Sequence, residues 1–275
     1  MGLVPVGLYV LFLKKEGRKP SEFFSDFAYK KLPVSVIILT VIAGFVFYYL
    51  TIGFSAIWTG IITAVFGYET AAVPGTIYTS LDNMIMWLAL TALLPGVFEE
   101  LTHRGLLLNT YREENDEAAV MISALLFALM HQDIRQFGYA FAGGIILGFF
   151  LVKSKSIIPP MILHFMNNGI NVILGYSYQK GGALGLAYDS FFKLFNNIGM
   201  ALLLMISWVV AAGVIIGIII LIDYLVARKN KTEPTFKKGF KFKMLRFNRE
   251  DIFLVASLVL GISTTVFALI WGMMR

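Results

Sequence analysis

Leu94-Pro95-Gly96-Val97-Phe98-Glu99-Glu100-Leu101-Thr102-His103-Arg104 places four ionisable side chains within six positions, inside an apolar run from about Asn83 to Leu108. That run is long enough to cross a bilayer, which takes roughly 20 apolar residues. A charge at the centre of a membrane helix costs a few kcal/mol or more. Such groups persist when they are paired, when they line a wet cavity, or when they do chemistry. Glu100 and Arg104 are four apart and share a helix face, with the acid on the favourable N-terminal side. Glu99 points about 100° away and is less directly compensated, which suits a general base. His103 shares its face. A purely structural charge cluster is the alternative, although one ion pair needs one Glu, not two.

The remainder of the chain supports a membrane setting. Of its 275 residues, 58% are hydrophobic and 15% charged, and the mean hydropathy is +0.76. Soluble domains are nearer 45–50% apolar and about 25% charged. No polar stretch is long enough to form a separate soluble domain, so residues 1–275 read as one integral membrane domain. There are no cysteines, which excludes disulfides, a cysteine nucleophile and thiolate metal ligands. Leu3–Leu13 is too short to span cleanly, and the basic residues that follow it are the reverse of a signal peptide.

Apolar runs at 33–66, 81–110, 118–131, 137–152, 159–174, 191–226 and 252–274 predict an all-α polytopic helix bundle of seven spans, or eight if Leu3–Leu13 crosses. Pro95 lacks the N–H that would bond residue 91, so a kink is expected there. Pro20-Ser21-Glu22-Phe23-Phe24 reads as a possible start of a surface helix, Pro74-Gly75 as a turn, and Gly175–Ser190 as a loop. Gly144 and Gly148 have the spacing that permits close helix packing. Alternation puts 18 Lys and Arg on one side: six in 14–31, Arg112, Lys153, Lys155 and nine in 228–249. Four lie on the other side: Arg135, Lys180, Lys193 and Arg275. The positive-inside rule makes the basic side cytoplasmic. Phe236, Phe240, Phe242 and Phe247, interleaved in the 228–249 loop, resemble a membrane-surface segment, but an ordinary positive cytoplasmic loop is the favoured reading.

Two further motifs follow. Phe127-Ala128-Leu129-Met130-His131 ends one run. His164 and Asn168 lie four apart on another, so their side chains converge, as oxyanion donors or as interhelical hydrogen-bonding groups. Counted from the cytoplasmic helix ends at 1.5 Å per residue, Glu99 lies ~17 Å deep, His131 ~20 Å, His164 ~11 Å and Asn168 ~17 Å. Three helices thus bring polar groups to about one layer, predicting an intramembrane polar cavity. There is no His-Glu-x-x-His, no Gly-x-Ser-Gly and no Gly-x-Gly-Asp to partner Tyr188-Asp189.

Glu99-Glu100-x-x-x-Arg104, Phe127-x-x-x-His131 and His164-x-x-x-Asn168 resemble the three ordered motifs of the CAAX protease and bacteriocin-processing (CPBP, Abi-type) family, which includes the Ras-converting CAAX endopeptidases. The resemblance covers about 81–175, the expected catalytic core. It implies a glutamate-dependent intramembrane endopeptidase. In that reading Glu99 activates water with His131, His164 and Asn168 stabilise the oxyanion, and Glu100 and Arg104 support them. His103 falls at a position the family motif leaves free. The implied partners are the lipid bilayer and a membrane-associated substrate, whether a prenylated CAAX protein, another lipidated protein or a peptide precursor, and not nucleic acid. No cofactor and no metal ligand are assigned. The rival readings are a metal-dependent hydrolase using Glu99, His103, His131 and His164, a non-catalytic immunity or binding protein, and a proton-coupled transporter.

Overall fold

The computed structural model describes residues 3–19, 22, 27–67, 77–112, 115–194, 198–238 and 252–273. The expected features at 20–24, Pro74-Gly75 and Phe240–Phe247 lie outside these, apart from Glu22. Among the described residues the chain is all helical, with nine helices and no strand. They are α1 (Leu3–Lys15), α2 (Val34–Phe66), α3 (Leu81–Tyr111), α4 (Asp116–Leu129), α5 (Ile134–Ser154), α6 (Ile158–Gln179), α7 (Ala183–Lys193), α8 (Ile198–Asn230) and α9 (Ile252–Met273). Four of them, α2, α3, α5 and α8, are long and apolar enough to cross a membrane, and the described part of α9 is a shorter apolar helix.

Two sequence expectations are corrected. The 175–190 segment is not a loop: α6 runs on to Gln179, and α7 follows after a turn at Gly181, whose φ is +67°. Gly175 serves close packing instead of a turn, because a Cβ there would lie 3.1 Å from the Tyr78 ring. The run expected from Phe191 is divided, with α7 ending at Lys193 and α8 beginning at Ile198. Part of the charged 112–117 stretch is also helical. Asn115 accepts from the Ala118 N–H at 2.8 Å and caps α4, whose first turn holds Asp116 and Glu117. Acidic residues there complement the helix dipole.

Helix α3 stays continuous through Pro95, but it widens to a π-helical turn at Leu88–Leu93 and again at Leu101–Leu108. The site of the expected kink is thus a widened turn just before the proline. Such turns break the regular bonding ladder and frequently mark functional sites.

Helix α5 is the hub of the packing, meeting α2, α4, α6 and α8, while α6 bridges α2 and α3. The Gly144–Gly148 stripe does what its spacing suggested. A Cβ on Gly144 would lie 3.0 Å from the Ala124 Cα, and one on Gly148 2.9 Å from Val120. The largest apolar core joins α2, α5, α6 and α8 through Phe47, Leu147, Phe150, Leu163 and Ile215. A second core, with Leu108, Val120, Val152 and Ile157, closes one end of the bundle.

The basic segments gather at that end. The Ser156 hydroxyl donates to the Lys30 carbonyl at 2.8 Å, the Ile157 N–H to the Ala28 carbonyl at 3.0 Å, and Lys229 Nζ to the Lys31 carbonyl at 3.0 Å. Lys153 Nζ donates to the Thr235 hydroxyl at 2.9 Å, and that hydroxyl donates to the buried Asp223 at 3.0 Å. At the opposite end Trp58 Nε1 donates to the Ile134 carbonyl and Lys180 Nζ to the Thr79 carbonyl.

Candidate active site

Helix α3 carries Glu99, Glu100, His103 and Arg104 into the bundle. Glu100 and Arg104 are fully buried and paired, Arg104 Nη1 donating to Glu100 Oε1 at 2.9 Å. Arg104 Nη2 also donates to the Gly144 carbonyl at 3.1 Å. That carbonyl can be reached because Gly144 lets α4 and α5 close together. The His164 Nδ1–H donates to the same Glu100 Oε1 at 2.8 Å. The carboxylate therefore joins α3 to α6.

His131 lies in the turn after α4. Its Nδ1 is 2.8 Å from the Phe127 carbonyl. A carbonyl can only accept, so Nδ1 carries the proton and the Nε2 lone pair of the neutral ring is left available. Phe127 is the residue on which the cluster packs. Its ring stands edge-to-face against His103, His131 and His164, with centroids 5.2, 5.0 and 5.6 Å away. The Arg104 guanidinium lies 4.6 Å from its centroid, a cation–π contact.

Asn168 does not stand beside His164 with its amide wholly available. Its Nδ2 donates to the Thr91 carbonyl at 3.0 Å, and its Oδ1 accepts from Asn167 Nδ2 at 3.0 Å. Residue 91 is the acceptor that Pro95 would have served in a regular helix. Asn168 thus fills the bond that the proline deletes and keeps one N–H in hand. The Thr51 hydroxyl donates to Asn167 Oδ1 at 2.6 Å and the Tyr48 hydroxyl to Asn171 Oδ1 at 2.9 Å.

Glu99, His131, His164 and Asn168 line one cavity of about 980 Å³, together with residues of α2, α5 and α7. Glu99 and His131 also share a recess of about 220 Å³ with His103 and Met130. Among the described residues Glu99 has no hydrogen-bond or ion-pair partner, and Glu100 Oε2, Arg104 Nε and His103 Nδ1 have none either. His103 is nearly buried behind the Phe127 edge. No group of three or more His, Asp or Glu among the described residues is arranged to hold a metal ion.

The sequence reading missed the α2 wall (Thr51, Ser55, Thr59, Thr63) and the polar floor of Asn167 and Asn171. The signal was there: both sets recur at four-residue spacing, a polar stripe on an otherwise apolar helix. Tyr188 lines the cavity, whereas Asp189 is paired with Lys193 at 2.7 Å.

No curated protein and no solved structure matches the chain. Residues 81–170 do match a known family, described as type II CAAX prenyl endopeptidase, Rce1-like. The matched segment runs from the start of α3 into α6 and contains all three motifs and both partners of the Glu100–Arg104 pair. Over that segment the chain is similar to the CAAX protease (CPBP) family, a family of membrane proteases.

Proposed function

We propose that the protein is a glutamate-dependent intramembrane endopeptidase cleaving a peptide bond in a membrane-associated peptide or lipidated protein. The observation that carries this reading is the meeting of Glu99, His131, His164 and Asn168, from two helices and a turn, in one cavity. Glu99 takes a proton from a water whose other hydrogen bonds His131 Nε2. The hydroxide attacks the scissile carbonyl carbon. The oxyanion accepts from His164 Nε2–H and from the free N–H of Asn168, so His164 carries a proton on each nitrogen at this step. Glu99 then passes its proton to the leaving amine as the C–N bond breaks. General base and oxyanion groups of this kind supply about 10²–10⁴-fold and 10²–10³-fold respectively.

Glu100 and Arg104 act as positioning residues. They hold His164 by Nδ1 and carry no proton in the reaction. The test is comparative proteomics of cells with the wild-type chain against Glu99→Gln. Uncleaved membrane-associated precursors should accumulate in the variant, and an unchanged set of termini would refute the proteolytic reading.

A further inference from the structure

Every wall of the cavity leads away from the basic end of the bundle. Its deep part, with Phe47, Leu147, Phe127 and His164, is buried near mid-bundle. Toward the other end the lining becomes exposed at Gly60, Thr63, Ala64 and Asn171. These residues stand at the end where Trp58 meets Ile134, opposite the end where 28–31, 153–157 and 229–235 meet. The only charged pair beside this mouth in the α4–α5 turn, Asp133 with Arg135, is internally neutral. The positive-inside rule puts the basic end in the cytoplasm.

We infer that the cavity opens on the non-cytoplasmic face, and that its substrate is an extended peptide segment presented there, exported or adjoining a membrane anchor. This rests on the endopeptidase reading of the same site. The lining of the mouth fits peptide main chain. Helices α2 and α3 each pack on α6 and not closely on each other, which leaves a slot between them. On the α2 side Ser55 and Thr59 present hydroxyls with no partner among the described residues, one turn apart. Among the described residues lining the cavity, Glu99 and the histidines are the ionisable groups apart from the tyrosines. From Thr51 to Thr63 the wall is ~18 Å long at 1.5 Å per residue, room for about five residues of extended chain.

The natural absence of cysteine makes the test direct. Thr63→Cys places a thiol at the mouth and Lys229→Cys one at the basic end. With a membrane-impermeant maleimide on intact cells, Thr63→Cys should label and Lys229→Cys should label only after the membrane is opened. Protection of Thr63→Cys in intact cells with labelling in inside-out vesicles would overturn the inference. So would labelling only after detergent, which would mean that no mouth is open to water. The labelling pattern needs no activity. If no variant or wild type cleaves anything, the protease reading fails while the side of entry is still decided.

Discussion

His164 Nδ1 lies 2.8 Å from Glu100 Oε1, the same oxygen that receives Arg104 Nη1. One buried oxygen atom thus couples the second acid of the Glu pair to an oxyanion candidate on another helix. The two adjacent glutamates should respond differently to substitution. Glu99→Gln should cut the cleavage rate ~10²–10⁴-fold with yield and melting temperature near wild type. Glu100→Gln should strand the Arg104 charge and cost about 3–5 kcal/mol of stability. Parallel melting curves and rates check this, and indistinguishable variants would remove the division of labour.

The proposed function gives Asn168 a second role beside its bond to Thr91, and a double mutant separates the two. Asn168→Ala orphans the Thr91 carbonyl, worth ~1–3 kcal/mol when buried, and removes an oxyanion donor, worth roughly 10²–10³ in rate. Pro95→Ala restores a backbone N–H within reach of that carbonyl. In Asn168→Ala/Pro95→Ala, thermal stability should recover and the rate should not. Recovery of both would make Asn168 purely structural.

Phe127→Leu keeps an apolar side chain but removes the ring face under Arg104 and the edges against three imidazoles. The lost cation–π contact alone is about 0.5–2 kcal/mol. Activity should fall further than stability does, since His131 and His164 lose a shared support. A variant with normal rate and lowered melting temperature would show that the ring only fills space.

Gly144→Ala should push α4 and α5 apart, since its Cβ would meet the Ala124 backbone at 3.0 Å. The Gly144 carbonyl would then move away from Arg104. A loss of ~1–3 kcal/mol is expected for such overpacking. Gly217→Ala, where a Cβ would meet nothing, is the control and should be neutral or slightly stabilising.

Acid should loosen the turn that carries His131. Burial pushes the Asp133 carboxyl up, but hydrogen bonds from Arg135 and Gln136 outweigh it and hold the group below its ordinary range. A depressed folded pKa means stability present above the unfolded value, about 3.9, and lost as pH falls through the folded one. Asp133→Asn should flatten the part of the acid unfolding curve that lies below about pH 4.

The three motifs and the Glu100–Arg104 pair were legible because each is a local spacing on one helix. Their meeting followed from depth alone, as every membrane helix measures depth at the same rise per residue. The Nδ1 bond from His164 to Glu100 was not legible, because which of two adjacent acids faces a neighbouring helix depends on how α3 and α6 are rotated against each other. The 175–190 helices were hidden by glycines whose role is packing under Tyr78 and turning at Gly181, two uses that look alike in sequence. The span count reads differently from the two sides. Helix α4 has only 14 residues, ~21 Å at 1.5 Å each, and α6 carries a polar face. Against the seven expected spans, four helices among the described residues meet length and apolarity together.

The widened turns at Leu88–Leu93 and Leu101–Leu108 divide α3 into separately phased pieces. A wide turn holds about one residue more than a regular turn, so it works as a spacer between two angular settings. Deleting one residue from 88–93 would let that turn revert to ordinary α geometry. Residues on both sides would then nearly keep their present register, because the turn would complete the same rotation with one residue fewer, and Glu99 to Arg104 would stay against α4 and α6. The length of this helix can therefore drift at its N-terminal end without disturbing the segment that carries Glu99 to Arg104, and single-residue changes of length within 88–93 are the ones that related chains should tolerate best.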